Sequence, residues 1–139
     1  MKLDLSKIEA ASKRGDDEYD VFTDPEEVAA RRGLIVVFPE DNQLQIDIDS
    51  EEQYEEFNRR FASFDFFYKA QITVTPSASG LPNRHVTITH PTETFETVER
   101  MMWQAALNDD PVRVFLNALR HADGQENPCR FFEVPEPLK

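Results

Sequence analysis

"LQIDIDSEEQYEEFNRRF", residues 44–61, decides how the chain is read. Its first six residues alternate apolar and polar, the two-residue period of a strand with one buried face. The pattern changes at Ser50. A serine followed by glutamates is a helix start, because its hydroxyl caps free backbone amides and the acids suit the positive end of the helix dipole. From there Tyr54, Phe57, Phe61 and Phe64 fall on one stripe of a helix running to about Ser63. A strand leading straight into an amphipathic helix is the first half of a βαβ unit.

Toward the C-terminus, "FFYKAQITVT" (66–75) and "RHVTITH" (84–90) are two more strands, separated by the long turn "PSASGLPN". "TETFETVERMMWQAAL" reads as a helix with Phe95, Val98, Met102 and Ala105 on its apolar side. "DDPVRVFLNALRH" reads as another, opened by Asp110 before Pro111. "CRFFEV" (129–134) is the last strand. The order from residue 44 is therefore β-α-β-β-α(α)-β. This is an α+β chain with the split βαβ, ferredoxin/RRM-like sheet and its helices on one face. That topology sets 44–49 antiparallel to 84–90, with 129–134 on the other flank of 44–49.

Toward the N-terminus, "LIVVF" (34–38) is a strand expected to pair with 44–49 through the turn "PEDNQ". "TDPEEVAARRG" is a helix opened by Asp24 and Pro25 and closed by Gly33. Residues 1–14 read as a short helix with Leu3, Leu5 and Ile8 as its apolar positions. The 139 residues then form a single domain: an N-terminal extension (1–40), an RRM-like core (41–134) and a short tail (135–139).

Composition excludes several classes. With 40% hydrophobic residues and 11 phenylalanines, the chain has enough apolar surface to build a core. No run approaches the roughly 18 apolar residues of a membrane span, and no secretory signal is visible, so a cytoplasmic setting is expected. Cys129 is the only cysteine, which rules out an internal disulfide and a cysteine-based zinc site. The formal net charge of −12 argues against a protein that coats DNA by counterion release. It leaves open a solubility surface, a divalent-cation binder or an acidic mimic of nucleic acid.

The strand pattern also sorts residues by face. Leu44, Ile46, Ile48, Ala70, Ile72, Val74, Val86 and Ile88 share the side expected to bury against the helices. Gln45, Asp47, Asp49, Gln71, Thr73, Thr75, His85, Thr87 and Thr89 share the other. Asp47 and Asp49 are two residues apart on a strand, hence roughly 7 Å apart on one face. Such a pair either holds Mg²⁺ or Mn²⁺, which relieves its repulsion, or is the wet end of an ordinary strand. His85 is expected to approach Asp49 in the antiparallel pairing. Ser77, Ser79 and Arg84 before it can offer hydroxyls and a guanidinium to phosphates. "HVTITH" contains two histidines five residues apart, which point to opposite faces of one strand, so a two-histidine phosphoesterase is excluded. His121 ends a helix, where a cation favours the dipole.

"LQIDID", the helix after it and "TPSASGLPNRHVTI" together resemble the core of the archaeo-eukaryotic primase and primase-polymerase superfamily. That family carries an hhhDhD strand, a small-residue stretch leading to a histidine on a later strand, and a further acidic strand residue. The resemblance implies catalytic roles for Asp47, Asp49 and His85, with Asp47 and Asp49 as metal ligands. It implies that Ser77, Ser79, Arg84 and His85 bind nucleotide phosphates and that Glu133 takes the third acidic position. The implied cofactor is Mg²⁺ or Mn²⁺, and the implied partners are nucleotide and nucleic acid. The implied activity is nucleotidyl transfer, present or lost. The chain is also similar in style to short bacteriophage proteins, whose setting is the host cytoplasm. An expectation of a different class stands beside this one: a non-catalytic acidic accessory protein. Such a protein would act by contact with a host or phage protein, as an anti-defence or replication modulator, or by sequestering nucleotide.

Overall fold

The computed structural model of the chain describes residues 24–77 and 80–135. The helix expected over 1–14, the segment 16–22, Ser79 and the last residues of the tail lie outside them. The described chain is α+β, with two small antiparallel sheets. Helix α1 is Pro25–Arg32 and strand β1 is Ile35–Val37. Strand β2 (Gln43–Ile48) leads into helix α2 (Glu51–Ser63). Strands β3 (Gln71–Pro76) and β4 (Arg84–Thr89) form a hairpin. Helices α3 (Thr97–Ala106) and α4 (Pro111–Ala122) follow, then strand β5 (Phe131–Glu133).

Local chemistry sets the helix ends as the sequence signals require. The Ser50 hydroxyl accepts from the Gln53 amide at 3.1 Å. Asp24 and Asp110 cap α1 and α4 directly before their prolines. Gly33 closes α1 at φ 68°, a left-handed conformation that costs glycine little.

One sheet has the order β2-β4-β3 and the other pairs β1 with β5. The pairing of 44–49 with 84–90 is therefore found, in the register Leu44↔Ile88, Ile46↔Val86 and Asp47↔His85. Two expectations are corrected. The 34–38 segment does not form a hairpin with 44–49, and 129–134 does not flank it. Instead these two segments pair with each other, Val36 opposite Phe132.

The outer edge of β2 explains why. Antiparallel pairing turns the backbone groups of alternate residues away from the partner strand. On β2 the outward groups are met by side chains rather than by a strand. The Gln43 carbonyl accepts from Arg100 Nε at 2.9 Å, and the Gln45 amide donates to Gln104 Oε1 at 2.9 Å. The Gln45 carbonyl accepts from Arg113 Nη1 at 2.9 Å. The Asp47 amide donates to Asp109 Oδ1 at 2.7 Å, and the Asp47 carbonyl accepts from Gln53 Nε2 at 2.7 Å. An edge so saturated has no valence left for another strand.

The same demand rotates α3. Val98 and Met102, expected in the core, are 51% and 68% exposed, while Arg100 and Gln104 are buried. Arg100 and Gln104 together pair the Glu40, Asp41 and Gln43 carbonyls and the Gln45 amide, and leaving these four groups unpaired costs more in sum than burying Val98 and Met102 would return. Trp103 still packs inward, face to face with Phe66 at 4.9 Å and edge-on to Phe64 and Phe67. Phe95 is buried, but it lies before α3 rather than on it.

The core is Leu44, Ile46, Ile48, Val86 and Ile88 under Phe57, Phe67, Phe95 and Leu107. Phe66 and Phe67, expected to begin a strand, sit in a 3-10 turn (Asp65–Phe67), and β3 starts only at Gln71. Ile72 and Val74 share the apolar side but remain 40% and 42% exposed, so the helices cover β2 and β4 and leave β3 outside. Among the described residues, no helix is long and apolar enough to cross a membrane.

A direct check on this account is Gln104→Leu, which keeps the volume and strands the Gln45 amide. It is expected to lower the unfolding free energy by about 1–3 kcal/mol in urea denaturation. Met102→Ser on the exposed side of the same helix should change it by no more than about 0.5 kcal/mol.

Candidate functional site

The polar side of the three-stranded sheet carries one row at its end: Asp47 on β2, His85 on β4 and Thr75 on β3. The register sets Asp47, rather than Asp49, directly opposite His85. Asp49 follows the strand and leads into the Ser50 cap. Asp110 arrives from the N-cap of α4, where its carboxylate accepts from the Val112 amide at 3.1 Å. These three meet: Asp47, Asp49 and Asp110 each bring a carboxylate oxygen within 4.8 Å of the others.

Beneath them lies a buried pair. Asp109 Oδ2 accepts from Arg113 Nη1, in the first turn of α4, at 2.7 Å. Burial pushes the Asp47 carboxyl up to about 6; Arg113 pulls it back and Asp109 pushes it further. Asp109 is likewise pushed up to about 6, its burial outweighing the adjacent guanidinium. The carboxylates here are thus held closer together, and in a drier place, than their own charges favour.

His85 is flanked on three sides. Its Nε2 is 3.7 Å from Asp47 Oδ1, and its Nδ1 is 3.5 Å from Glu133 Oε2. Phe131 stacks on the ring with centroids 4.0 Å apart and planes at 7°. The Thr75 hydroxyl donates to Glu133 Oε2 at 2.9 Å. His85, and after it this hydroxyl, holds the Glu133 carboxyl below the usual carboxylate range.

The polar face is not the open patch that alternation suggests. Residues of β5 roof its β4 side, and His85 and Gln45 are buried. What stays accessible is a cleft of about 240 Å³ between this roof, the sheet and α4, lined by Asp47, Ser77, His85 and Asp110. Arginines 32, 113, 120 and 130 also line it, a basic wall in an acidic chain.

The structure thus brings Asp47, Asp49, His85 and Ser77 to one place and divides the remaining expected site residues. Arg84 is next to His85 in β4 but faces the other way, in an ion pair with Glu51 and 4.1 Å from the Tyr54 ring. Glu133 reaches the far nitrogen of His85 rather than the acidic cluster. His90 is a structural residue: its Nε2 lies 2.7 Å from the Phe66 carbonyl, and its Nδ1 accepts from the Thr92 and Glu93 amides. His121 stands in the last turn of α4.

Sequence reading missed Asp110 as a site residue, because "DDP" signals a helix start and that role is genuine. It missed the Asp109–Arg113 pair too, although the four-residue spacing of opposite charges at the start of a helix was visible. Comparison with protein families, with curated proteins and with solved structures finds no match for this chain.

Proposed function

We propose that this chain binds a divalent cation, Mg²⁺ or Mn²⁺, together with the phosphates of a nucleotide, in the manner of a primase-polymerase-like protein. The observation that carries the reading is the meeting of three carboxylates, two from the end of β2 and one from the N-cap of α4, beside the His85 imidazole at the mouth of a cleft. An all-oxygen donor set of this kind suits a hard cation that keeps part of its water shell. The strand order β2-β4-β3, with α2 between β2 and β3, supports an RRM-like reading of the core. In that reading β5 has left its flank position to pair with β1.

Asp47, Asp49 and Asp110 would hold the cation. When bound, such an ion activates an attacking hydroxyl and stabilises a leaving pyrophosphate. Asp109 and Arg113 hold the Asp47 backbone in place from below. His85, oriented by Phe131 and Glu133, presents Nε2 toward Asp47 and the phosphates, and Ser77 adds a hydroxyl to the same cleft. Asp110 replaces Glu133 as the third acidic residue in this proposal, and Arg84 drops out of the phosphate contacts.

Titration calorimetry with Mn²⁺, then with a nucleoside triphosphate in its presence, tests the reading. Wild-type protein is expected to bind the metal and to bind nucleotide only with it. Asp110→Asn should weaken both as much as Asp49→Asn does. A folded wild type that releases no heat with Mn²⁺ would instead favour the contact-based accessory protein, for which the net charge of −12 is the supporting feature.

A further inference from the structure

The two edges of the three-stranded sheet are treated very differently. The β2 edge is sealed by side chains, as described above. Among the described residues the β3 edge has no such partners. In the β3–β4 hairpin the Ser77 amide donates to the Asn83 carbonyl at 3.1 Å, which makes 77 and 83 a hydrogen-bonded pair. Strand parity then turns Gln71, Thr73 and Thr75 toward β4 and the N–H and C=O groups of Ile72 and Val74 outward. β3 pairs with no strand other than β4, and no backbone bond from Ile72 or Val74 runs outward among the described residues.

Natural sheets usually protect such an edge with charge, a bulge or a cover. This one carries no charge, and its one proline, Pro76, stands at the last position of β3, beyond Ile72 and Val74. Residues 70–77, "AQITVTPS", carry no charged side chain in a chain with 27 acidic residues. Ile72 and Val74 are also 40% and 42% exposed on the side that continues the core.

We propose that β3 pairs with β3 of a second copy, antiparallel about a two-fold axis at Thr73, to join two three-stranded sheets into one. The chemistry selects a second copy. A strand meeting itself antiparallel closes a symmetric interface, and the uncharged run 70–77 sets no like charges opposite each other when two chains of net charge −12 meet there. Outward groups on Ile72 and Val74 fix the register: Ile72 opposite Val74 of the partner, Thr73 opposite Thr73, Gln71 opposite Thr75. The first pair sets β-branched side chains together on the core side, and the others match hydroxyls and amide on the polar side, both favourable cross-strand combinations.

The register gives the test. Thr73 faces itself in a non-hydrogen-bonded pair, with Cα atoms about 4.5 Å apart, within disulfide reach. Gln71 lies four residues from its own counterpart, about 13 Å away. The native Cys129 is 2% exposed and does not compete. Wild-type protein is expected to sediment as a dimer at micromolar concentration. Under mild oxidation Thr73→Cys should form a covalent dimer many times faster than Gln71→Cys, and Val74→Lys should sediment as a monomer. A monomeric wild type would overturn the proposal and leave the edge to a strand of another protein. A dimer in which Gln71→Cys cross-links as fast as Thr73→Cys would overturn it equally.

Discussion

Replacing Arg113 with methionine is expected to destabilise the protein by about 3–5 kcal/mol, enough to lower the melting temperature by roughly 10–20 °C at this size. The guanidinium donates to the Gln45 carbonyl, the Gln45 side chain, Asp109 and the Arg130 carbonyl. It thereby ties β2, α4 and the segment entering β5 into one unit, and it lies 4.6 Å from the Phe131 ring that covers His85. Burial alone would lower the Arg113 pKa, but Asp109, Cys129 and Asp47 together more than offset it and the charge persists. Methionine fills the space and leaves Asp109, which is 2% exposed, without its counter-charge. That anion can escape only by taking a proton. The loss should therefore be larger at pH 8 than at pH 5, because Asp109, already pushed up to about 6, rises further without the guanidinium. Adding Asp109→Asn to Arg113→Met should cost less than the sum of the single changes. Equal losses at both pH values and strict additivity would mean that the two side chains do not act as a pair.

Asp47→Asn is expected to move two measurements in opposite directions. Mn²⁺ affinity should fall by about 100-fold or more, since a ligand matters at least as much as the outer-shell groups whose loss costs up to that factor. Metal-free stability should rise. An asparagine keeps the shape and removes a buried charge that the fold tolerates poorly. The pH dependence carries the same sign. A carboxyl near 6 in the folded state and near about 4 in the unfolded chain binds its proton more tightly when folded. Unfolding free energy in the metal-free protein should thus increase as pH falls from about 6 to about 4. Asp47 and Asp109 contribute to this rise together, and Asp47→Asn should remove part of it. Saturating Mn²⁺ should reverse the trend for wild type, because protons then compete with the metal. Urea denaturation at several pH values, with and without metal, checks all of these signs. An Asp47→Asn protein that is both less stable and equally good at binding Mn²⁺ would reduce Asp47 to a structural residue.

Much of the local structure was readable because its causes lie within a few residues. The alternation in 44–49 and 84–90, the serine cap before α2 and the Asp-Pro starts of α1 and α4 act over short range, and each of these elements stands within a residue or two of where its pattern places it. The pairing of β2 with β4 follows from which faces are apolar, but the expected approach of His85 to Asp49 does not, because the register sets Asp47 opposite His85. The face of α3 was not readable. Its apolar stripe predicts the opposite rotation, and nothing near residue 100 announces that a distant backbone needs Arg100 and Gln104.

What the amino-acid order determined by itself, among the described residues, is the sequence of strands and helices from α1 to β5, the caps of α1, α2 and α4, and the polar face that holds Asp47 and His85. The tertiary structure decided which edge of β2 would be sealed, that β5 would join β1 and roof the imidazole, and that Asp110 would complete the acidic cluster. The physical reason is the range of the interactions. Gln104 and Arg113 meet Gln45 across 59 and 68 residues of chain, and a hydrogen bond over that span has no periodicity to betray it.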